Sequence, residues 1–190
     1  RSVARYTIST NDGTFLCTGS LVNNDQFDQR PLMLTAAHCG VAETTVDSMV
    51  FYWNYETSVC GSTPDGSLNQ TQTGARYISR GEGISFNSDF ALVELNSRPD
   101  PSVNVYYSGW NAIAQQAGDV VSINHPRGHE KRISQDADPL TITDYDSEEI
   151  NEQASYYRVG SWDVGTTEGG SSGGGLWNRE KEIIGTLSGG

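Results

Sequence analysis

The sequence predicts an all-β protein, and three observations lead to this prediction. Short runs rich in β-branched and aromatic residues recur along the whole chain. Glycine, asparagine, aspartate and serine separate these runs, as they do at the turns between strands. No apolar stripe at positions i, i+3, i+4 and i+7 continues long enough to predict a major helix. Short strands at this spacing are typical of a β-barrel or a β-sandwich with antiparallel connections.

The candidate strands fall into two groups along the chain. The first half carries candidates at residues 4–9, 15–22, 32–35, 49–55, 75–79 and 90–95. The second half carries candidates at residues 119–124, 130–134, 140–143, 156–161 and 182–187. Two short segments are candidate helices, residues 111–117 and residues 147–154. The second of these has acidic residues in its first turn, where they suit the positive end of a helix dipole.

The clearest break in the chain lies at residues 97–102, where Pro99 and Pro101 stand two residues apart. Each proline fixes its own φ angle and lacks a backbone N–H, so neither a strand nor a helix continues regularly through this stretch. The break divides the chain into halves of similar length. We therefore expect two small β-barrels, residues 1–98 and residues 99–190, joined by one linker.

Length and charge exclude several classes of protein. The chain has 190 residues, 12 of them basic and 24 acidic, and a formal net charge of −12. Nucleic-acid binding relies on Lys and Arg against phosphates, so this charge argues against a nucleic-acid partner. No run approaches the ~20 apolar residues of a membrane helix, so we expect no membrane partner. No apolar segment follows the first arginines as it does in a signal peptide, so we expect a mature or trimmed sequence.

Three short motifs carry candidate catalytic residues. His38 follows an apolar strand, Asp89 opens another, and Ser172 lies in the glycine-rich run 169–175. A nucleophilic serine needs a base to take its proton, and the base needs a carboxylate to hold its tautomer. Taken singly, the three have simpler interpretations as a packed histidine, a turn aspartate and a loop serine. Together, in the order His, Asp, Ser, they predict a catalytic triad.

The order of these residues and the motifs around them resemble the chymotrypsin-like (trypsin-fold) serine endopeptidases. Within that class the chain is most similar to the bacterial lysyl endopeptidases. The Thr-Ala-Ala-His-Cys and Gly-x-Ser-Gly motifs are the most specific part of the resemblance. The shared segments are residues 17–24, 34–40, 52–55, 88–96, 125–126, 130–134 and 170–173. The resemblance implies two antiparallel six-stranded β-barrels, the second of them truncated at the C-terminus.

The resemblance also implies a role for each matching residue. His38 would act as general base and then as general acid, and Asp89 would orient it. Ser172 would attack the scissile carbonyl and form an acyl-enzyme. The backbone N–H groups of Gly170 and Ser172 would form the oxyanion hole. The implied protein is a secreted, monomeric enzyme that acts on polypeptides and needs no cofactor.

Substrate-binding residues are expected on the same grounds. Thr166 stands six residues before Ser172, where trypsin keeps the acidic residue of its specificity pocket. Ser188, Gly189 and Gly190 stand where the strand that binds an extended substrate begins. In lysyl endopeptidases the acidic residue that pairs with a substrate lysine lies beyond the matched segment, so cleavage after a basic residue is expected by resemblance alone. Cleavage after glutamate, or a non-catalytic binding module on the same fold, are the alternatives.

The three cysteines divide into a pair and a remainder. By resemblance, a disulfide between Cys17 and Cys39 closes the loop that carries the catalytic histidine, and two free thiols are the alternative. Cys60 is left over. The resemblance implies a partner for it upstream of Arg1, and a free surface thiol is the alternative. The odd count predicts that the chain is part of a longer one.

A second pair of histidines invites a metal-site interpretation. His125 and His129 are four residues apart, a spacing that brings two ligands together only on a helix. Pro126 and Gly128 lie between them and argue against a helix at this point. We therefore expect no metal site in this chain.

Overall fold

A computed structural model describes residues 1–81, 88–113, 117–145 and 155–189. The strands of the first half are β1 (Val3–Thr10), β2 (Gly13–Val22), β3 (Leu32–Ala36), β4 (Val50–Tyr52), β5 (Thr71–Thr73), β6 (Ala75–Arg80) and β7 (Phe90–Leu95). Those of the second half are β8 (Gly109–Trp110), β9 (Val120–Asn124), β10 (Arg132–Asp136), β11 (Thr141–Thr143), β12 (Tyr156–Arg158), β13 (Gly175–Trp177) and β14 (Glu182–Thr186). The described helices are single 3-10 turns at Ala37–Cys39, Val46–Ser48, Pro101–Val103 and Pro126–Gly128. The all-β prediction is confirmed, and no helix in the described ranges has the length and apolar character needed to cross a membrane.

The first seven strands form one antiparallel sheet in the order β5-β4-β1-β2-β3-β7-β6. Its edge strands, β5 and β6, are consecutive in the chain and are separated only by Gly74. The Gly74 N–H donates to the Met49 carbonyl (2.8 Å) beside β4, and the Gly74 carbonyl accepts from the Asn96 N–H (3.3 Å) beside β7. One residue therefore joins both edges and closes the sheet into a barrel. Counted as one bent strand, β5 and β6 make this the six-stranded barrel that the resemblance implied.

The second half forms a five-stranded sheet in the order β10-β9-β13-β14-β8 and a separate pair, β11 with β12. Strand β8 runs parallel to β14, which differs from the wholly antiparallel arrangement expected. Just before β8, the backbone of Ser108 is hydrogen-bonded to those of Leu21 and Asn23 (2.9 Å each). The chain thus enters β8 directly from the first sheet. A short hairpin between β8 and β14 would force the two strands to be antiparallel, but no such hairpin joins them, so they can pair in parallel.

Every predicted strand overlaps an observed one, although residues 49–55 and 156–161 keep only three strand residues each. The strands missing from the prediction are β5, β8 and β13, which have three, two and three residues. Runs this short cannot display an alternating pattern. The candidate helix 111–117 has no helical residue at its described positions. The candidate helix 147–154 lies outside the described residues.

A small apolar cluster packs the two sheets together. Val3, Val22 and Leu32 of the first sheet contact Trp177 and Ile183 of the second. Burying a side chain of this size stabilises the folded state by roughly 1.5–3 kcal/mol. Because Trp177 belongs to β13, the cluster holds this strand against the first sheet.

We expect Gly74→Ala to lower the free energy of unfolding by about 1–2 kcal/mol, because a Cβ costs roughly this much at a left-handed φ. Gly74 has φ +76°, and the amide end of the exposed Asn96 side chain, which the added Cβ would meet, can turn away. Gly109→Ala is the control, since Gly109 has no left-handed φ and has nothing within 4 Å of the added Cβ. Urea unfolding curves measure both losses. Equal losses for the two variants would contradict the left-handed turn at the barrel closure.

Candidate active site

The pairing of β3 with β7 brings His38 and Asp89 together. Ala36, the last residue of β3, lies opposite Phe90, the first residue of β7. His38 comes two residues after Ala36, in the single helical turn that follows the strand, and Asp89 immediately precedes β7. The Ala37 N–H donates to the Asp89 carbonyl (3.0 Å). The two segments therefore meet side by side at the same end of the sheet.

His38 and Asp89 are joined by two hydrogen bonds. Nδ1 of His38 donates to Oδ2 of Asp89 (2.7 Å), and the backbone N–H of His38 donates to Oδ1 (2.9 Å). The Asp89 side chain is fully buried, whereas the His38 side chain is 30% exposed. Because an ionised carboxylate can only accept, the proton of a neutral His38 lies on Nδ1. Nε2 is then left to accept a proton from another group.

A disulfide joins Cys17 of β2 to Cys39, the residue after His38. The pairing implied by the resemblance is therefore confirmed. The bridge spans 22 residues of sequence, and a closed loop of this length stabilises by roughly 3 kcal/mol through chain entropy. It also ties the helical turn that carries His38 to the neighbouring strand. Cys60 is exposed and unpaired among the described residues, and an upstream partner for it stays a prediction.

Ser172 lies in the glycine-rich loop before β13, and this loop rests on the first sheet. The Ser172 carbonyl accepts from the N–H of Thr18 in β2 (2.9 Å). The next residue, Gly173, has φ +79°, and a Cβ there would overlap the Thr35 side chain and the Thr18 carbonyl. Only glycine allows this approach. The loop therefore holds Ser172 next to the end of β3, where the turn with His38 begins.

The three predicted triad residues lie on segments that are in contact. Sγ of Cys39, the residue after His38, is 4.0 Å from the Ser172 carbonyl oxygen. Within the described ranges, no hydrogen bond joins Nε2 of His38 to Oγ of Ser172, although Nδ1 is bonded to Asp89. In ligand-free active sites this bond is commonly long and shortens once the substrate is bound. The structure thus brings the segments that carry His38, Asp89 and Ser172 into contact at one end of the first sheet.

Between Gly170 and Gly174, the backbone of the Ser172 loop leaves two N–H groups unbonded. The N–H groups of Ser171, Gly173 and Gly174 donate to carbonyls of the protein. In the part of the chain that the structure describes, the N–H groups of Gly170 and Ser172 donate to no protein acceptor, and neither does that of Gly169 just before this stretch. Gly170 and Ser172 are the two residues predicted to form the oxyanion hole. Two free donors two residues apart are an arrangement that can stabilise an oxyanion on a bound substrate.

The residue before the nucleophile is held by a side chain that sequence analysis missed. Oγ of Ser171 donates to Oδ1 of Asn124 (2.8 Å) and accepts from the N–H of Glu168 (3.2 Å). Ser171 and Asn124 are both completely buried. Asn124 is the last residue of a predicted strand. A polar amide side chain at the end of that strand was the only signal in the sequence that could have indicated this contact. Its contact fixes the base of the loop from which Ser172 projects.

His125 supports the loop as a buried neutral ring. It is stacked on Tyr55, with ring centroids 6.0 Å apart and planes 8° apart. Nδ1 donates to the His129 carbonyl (2.9 Å), and burial lowers the pKa of His125 to about 3. The bond that joins His125 to His129 goes to the backbone carbonyl of His129 and not to its ring. The described residues contain no group of three or more His, Cys, Asp or Glu that could hold a metal ion.

The predicted substrate-binding residues lie in two places. Ser188 and Gly189 line a groove of about 780 Å³ that also reaches Asp89. Thr166 lines a separate cavity of about 200 Å³, while its neighbour Thr167 lines the groove. Thr166 and Ser188 therefore line different cavities. A count of six residues back from Ser172 gives the position of Thr166 in the sequence but not the direction of its side chain.

Solved structures with this fold are named as proteases. A thermostable serine protease from an extremophilic microorganism has a TM-score of 0.67 at 17% identity, with 100% of this chain and 85% of that chain covered. An inactivated protease paralogue from the scabies mite has a TM-score of 0.60 at 17% identity, with 97% and 81% covered. At this identity the likeness concerns the fold alone. The chain therefore belongs to the class of proteins with the chymotrypsin-like serine-protease fold.

A comparison at higher sequence identity shows the family. The lysyl endopeptidase of Pseudomonas aeruginosa is 33% identical over 175 residues, which are 90% of this chain and 35% of that protein. The chain belongs to the family described as "Lysyl endopeptidase, C-terminal domain", whose model matches residues 1–190. It spans about a third of the length of the Pseudomonas relative. The resemblance found in the sequence is therefore confirmed.

We expect the buried His125 to make the folded state less stable as the pH falls from about 6.5 toward 3. An unfolded histidine has a pKa near 6.5, whereas burial, with Lys131, Arg5 and Arg132 nearby, lowers the folded pKa to about 3. Between these values only the unfolded chain binds the proton, so stability rises with pH by up to about 1.4 kcal/mol per unit.

His125→Phe is the control for this prediction, because it keeps a ring against Tyr55 and cannot titrate. Carboxylates titrate in the same range, so the quantity to measure is the difference in unfolding free energy between the two proteins. Going from about pH 7 to about pH 4, the wild type should lose stability relative to His125→Phe. A difference that does not change with pH would contradict the buried neutral state.

Proposed function

We propose that this chain is the catalytic part of a serine endopeptidase that cleaves polypeptides through an acyl-enzyme. The observation that carries the proposal is the buried Asp89, bonded to Nδ1 of His38 beside a serine loop with two unbonded N–H groups. Membership in the lysyl endopeptidase C-terminal domain family supports it. The roles of His38, Asp89 and Ser172 are those that the sequence predicted.

In the first half of the reaction, Nε2 of His38 takes the proton of Ser172 while Oγ attacks the substrate carbonyl carbon. The imidazolium is stabilised by the Asp89 carboxylate, 2.7 Å from Nδ1. The substrate oxygen becomes an oxyanion and accepts from the N–H groups of Gly170 and Ser172, and each such donor is worth about 10²–10³ in kcat. His38 then gives its proton to the departing amine, which leaves an ester on Ser172.

In the second half, a water molecule takes the place of the amine. His38 removes a proton from it, and the hydroxide attacks the ester carbonyl. The second oxyanion uses the same two N–H donors. When it collapses, Ser172 recovers the proton from His38 and the acid product leaves, so both side chains return to their starting states.

In this proposal each half of the chain supplies different catalytic groups. The barrel of strands β1 to β7 supplies the base His38 and its partner Asp89. The loop before β13, in the second half, supplies Ser172 and the oxyanion donors. The site then lies at the seam, where the apolar cluster that includes Val3 and Trp177 packs the two sheets together.

We assign Ser188, Gly189 and Gly190 to binding of the substrate main chain. Ser188 and Gly189 follow β14 and line the groove that reaches Asp89. Among the described residues, neither of the two has a backbone hydrogen bond to another backbone group, so an extended peptide can pair with them. Gly190 lies outside the described residues. A part for Thr166 in substrate binding stays a prediction.

The proposed substrates are polypeptides cleaved after lysine or another basic residue. The name of the family supports this preference. The net charge of −12 supports it further, since a negative surface attracts cationic segments. We also propose that the protein is secreted and acts as a monomer. The Cys17–Cys39 disulfide supports secretion, because such bonds persist in oxidising compartments.

We expect Ser172→Ala to abolish labelling of the full-length protein by a fluorophosphonate, a reagent that reacts with activated serine. Asp89→Asn should lower kcat by about 10⁴, because an amide favours the wrong His38 tautomer. Ser67→Ala, at an exposed serine, is the control and should label as the wild type does. Undiminished labelling of Ser172→Ala would contradict the assignment, and a folded wild type that never labels would favour a non-catalytic binding module.

The preference for basic residues is tested with a mixed-sequence peptide library. Incubation with the full-length enzyme, followed by mass spectrometry of the products, reports the residue before each cut. We expect most cuts after lysine, because the proposed specificity pairs a substrate cation with the negative charge of the enzyme. Cuts mainly after glutamate or aromatic residues would overturn the preference and leave the triad untouched.

A further inference from the structure

Thr18 of β2 bonds to both residues that carry the unbonded N–H groups. Its backbone N–H donates to the Ser172 carbonyl (2.9 Å), and its Oγ1 donates to the Gly170 carbonyl (2.9 Å). The same Oγ1 accepts from the backbone N–H of His125 (3.1 Å). Thr18 is completely buried, so water does not compete for these bonds. A side chain of the first sheet therefore sets the backbone of a loop in the second half.

The direction of the Gly170 N–H depends on the peptide that joins Gly169 to Gly170. The Gly169 carbonyl accepts from the Arg127 N–H (2.6 Å). In a planar trans peptide the C=O and N–H point in opposite directions, so this bond aims the Gly170 N–H away from Arg127. Arg127 lies two residues after His125, whose own N–H is bound by Thr18. Thr18 thus holds Gly170 directly through its carbonyl. It also holds the start of the turn from His125 to Arg127, and Arg127 orients the peptide between Gly169 and Gly170.

The loop itself does not determine this orientation. Gly170 has φ +93°, and glycine populates positive and negative φ about equally. A rotation of the peptide before Gly170 would put a carbonyl oxygen where the oxyanion has to bind. A partner outside the loop is therefore needed to favour one orientation. The Arg127 N–H is the direct partner of this peptide, and the hydroxyl of Thr18 holds the Gly170 carbonyl after it and the His125 N–H at the start of the Arg127 turn.

Thr18 is in turn held by the interior of the first barrel. Oγ1 of Thr35 donates to the Thr18 carbonyl (2.8 Å), and the hydroxyl of Tyr6 donates to Oγ1 of Thr35 (2.8 Å). All three residues are completely buried. Burial also raises the pKa of Tyr6, so its hydroxyl stays a donor. The chain of bonds leaves the threonine little freedom to move with the loop.

We propose that the Thr18 hydroxyl is a positioning group that keeps the Gly170 N–H directed into the oxyanion hole. The inference rests on the proposed function and adds a residue to it. Thr18 does not touch the substrate, because it lies behind the loop and acts through the Gly170 carbonyl and the His125 turn. Its removal should therefore weaken the stabilisation of the transition state more than the binding of the substrate.

The test compares Thr18→Val, which keeps the shape and removes the hydroxyl, with Thr18→Ser, which keeps the hydroxyl. In the full-length enzyme we expect Thr18→Val to lower kcat by about 10–100-fold with KM nearly unchanged. Thr18→Ser should recover most of that loss. Ser20→Ala is the matched control, because Ser20 lies on the same strand and has a buried hydroxyl with no hydrogen-bond partner. It should leave kcat unchanged.

Thermal unfolding is measured for every variant, so that kcat is compared among folded proteins. Should Thr18→Val fail to fold, Thr18→Ala removes the same hydroxyl. Full kcat in a folded variant without the hydroxyl, or a kcat for Thr18→Ser as low as that for Thr18→Val, overturns the inference. A wild type that does not react with a fluorophosphonate overturns the proposed function instead, so the two failures are distinguishable.

Discussion

The loop that carries Ser172, the proposed nucleophile, belongs to the second half of the chain, but hydrogen bonds from the first sheet set its shape. Thr18 holds the carbonyls of Gly170 and Ser172, and Gly173 lies against Thr35 with no room for a side chain. His38 and Asp89 need no such contact with the second half, because β3 and β7 bring them together within one sheet. The first barrel alone can therefore form the His–Asp pair, whereas the N–H groups proposed as oxyanion donors are oriented only when the two sheets are packed.

Most of the fold could be predicted from the sequence, and so could the residues His38, Asp89 and Ser172 whose segments meet in the structure, because both depend on short patterns. The strands appear in the sequence as local runs of β-branched and aromatic residues. Each triad motif spans only a few residues around His38, Asp89 or Ser172. The closure at Gly74 and the parallel pairing of β8 could not be predicted, since strands of two or three residues carry no pattern of their own. The supporting residues were missed for another reason. Thr18 meets Gly170 across 152 residues of sequence and His125 across 107.

The substrate-binding predictions show where counting along a sequence stops being informative. Ser188 and Gly189 were expected from the family resemblance, and they line the groove that reaches Asp89. Thr166 was expected from its distance in sequence to Ser172, and it lines another cavity. Specificity depends on side-chain direction, which the backbone of a loop sets. The family membership therefore supports a basic preference better than any single residue of this chain does.

The N–H groups of Gly170 and Ser172 are proposed to form an oxyanion hole that the first sheet keeps in shape. The most direct measurement is a crystal structure of the full-length protein with a peptide boronic acid, which forms a tetrahedral adduct on a nucleophilic serine. We predict a bond from boron to Oγ of Ser172, with one boronate oxygen about 2.7–3.1 Å from both nitrogens. An adduct whose oxygens lie away from these two nitrogens, or a boronic acid bound without a bond to Ser172, would contradict it.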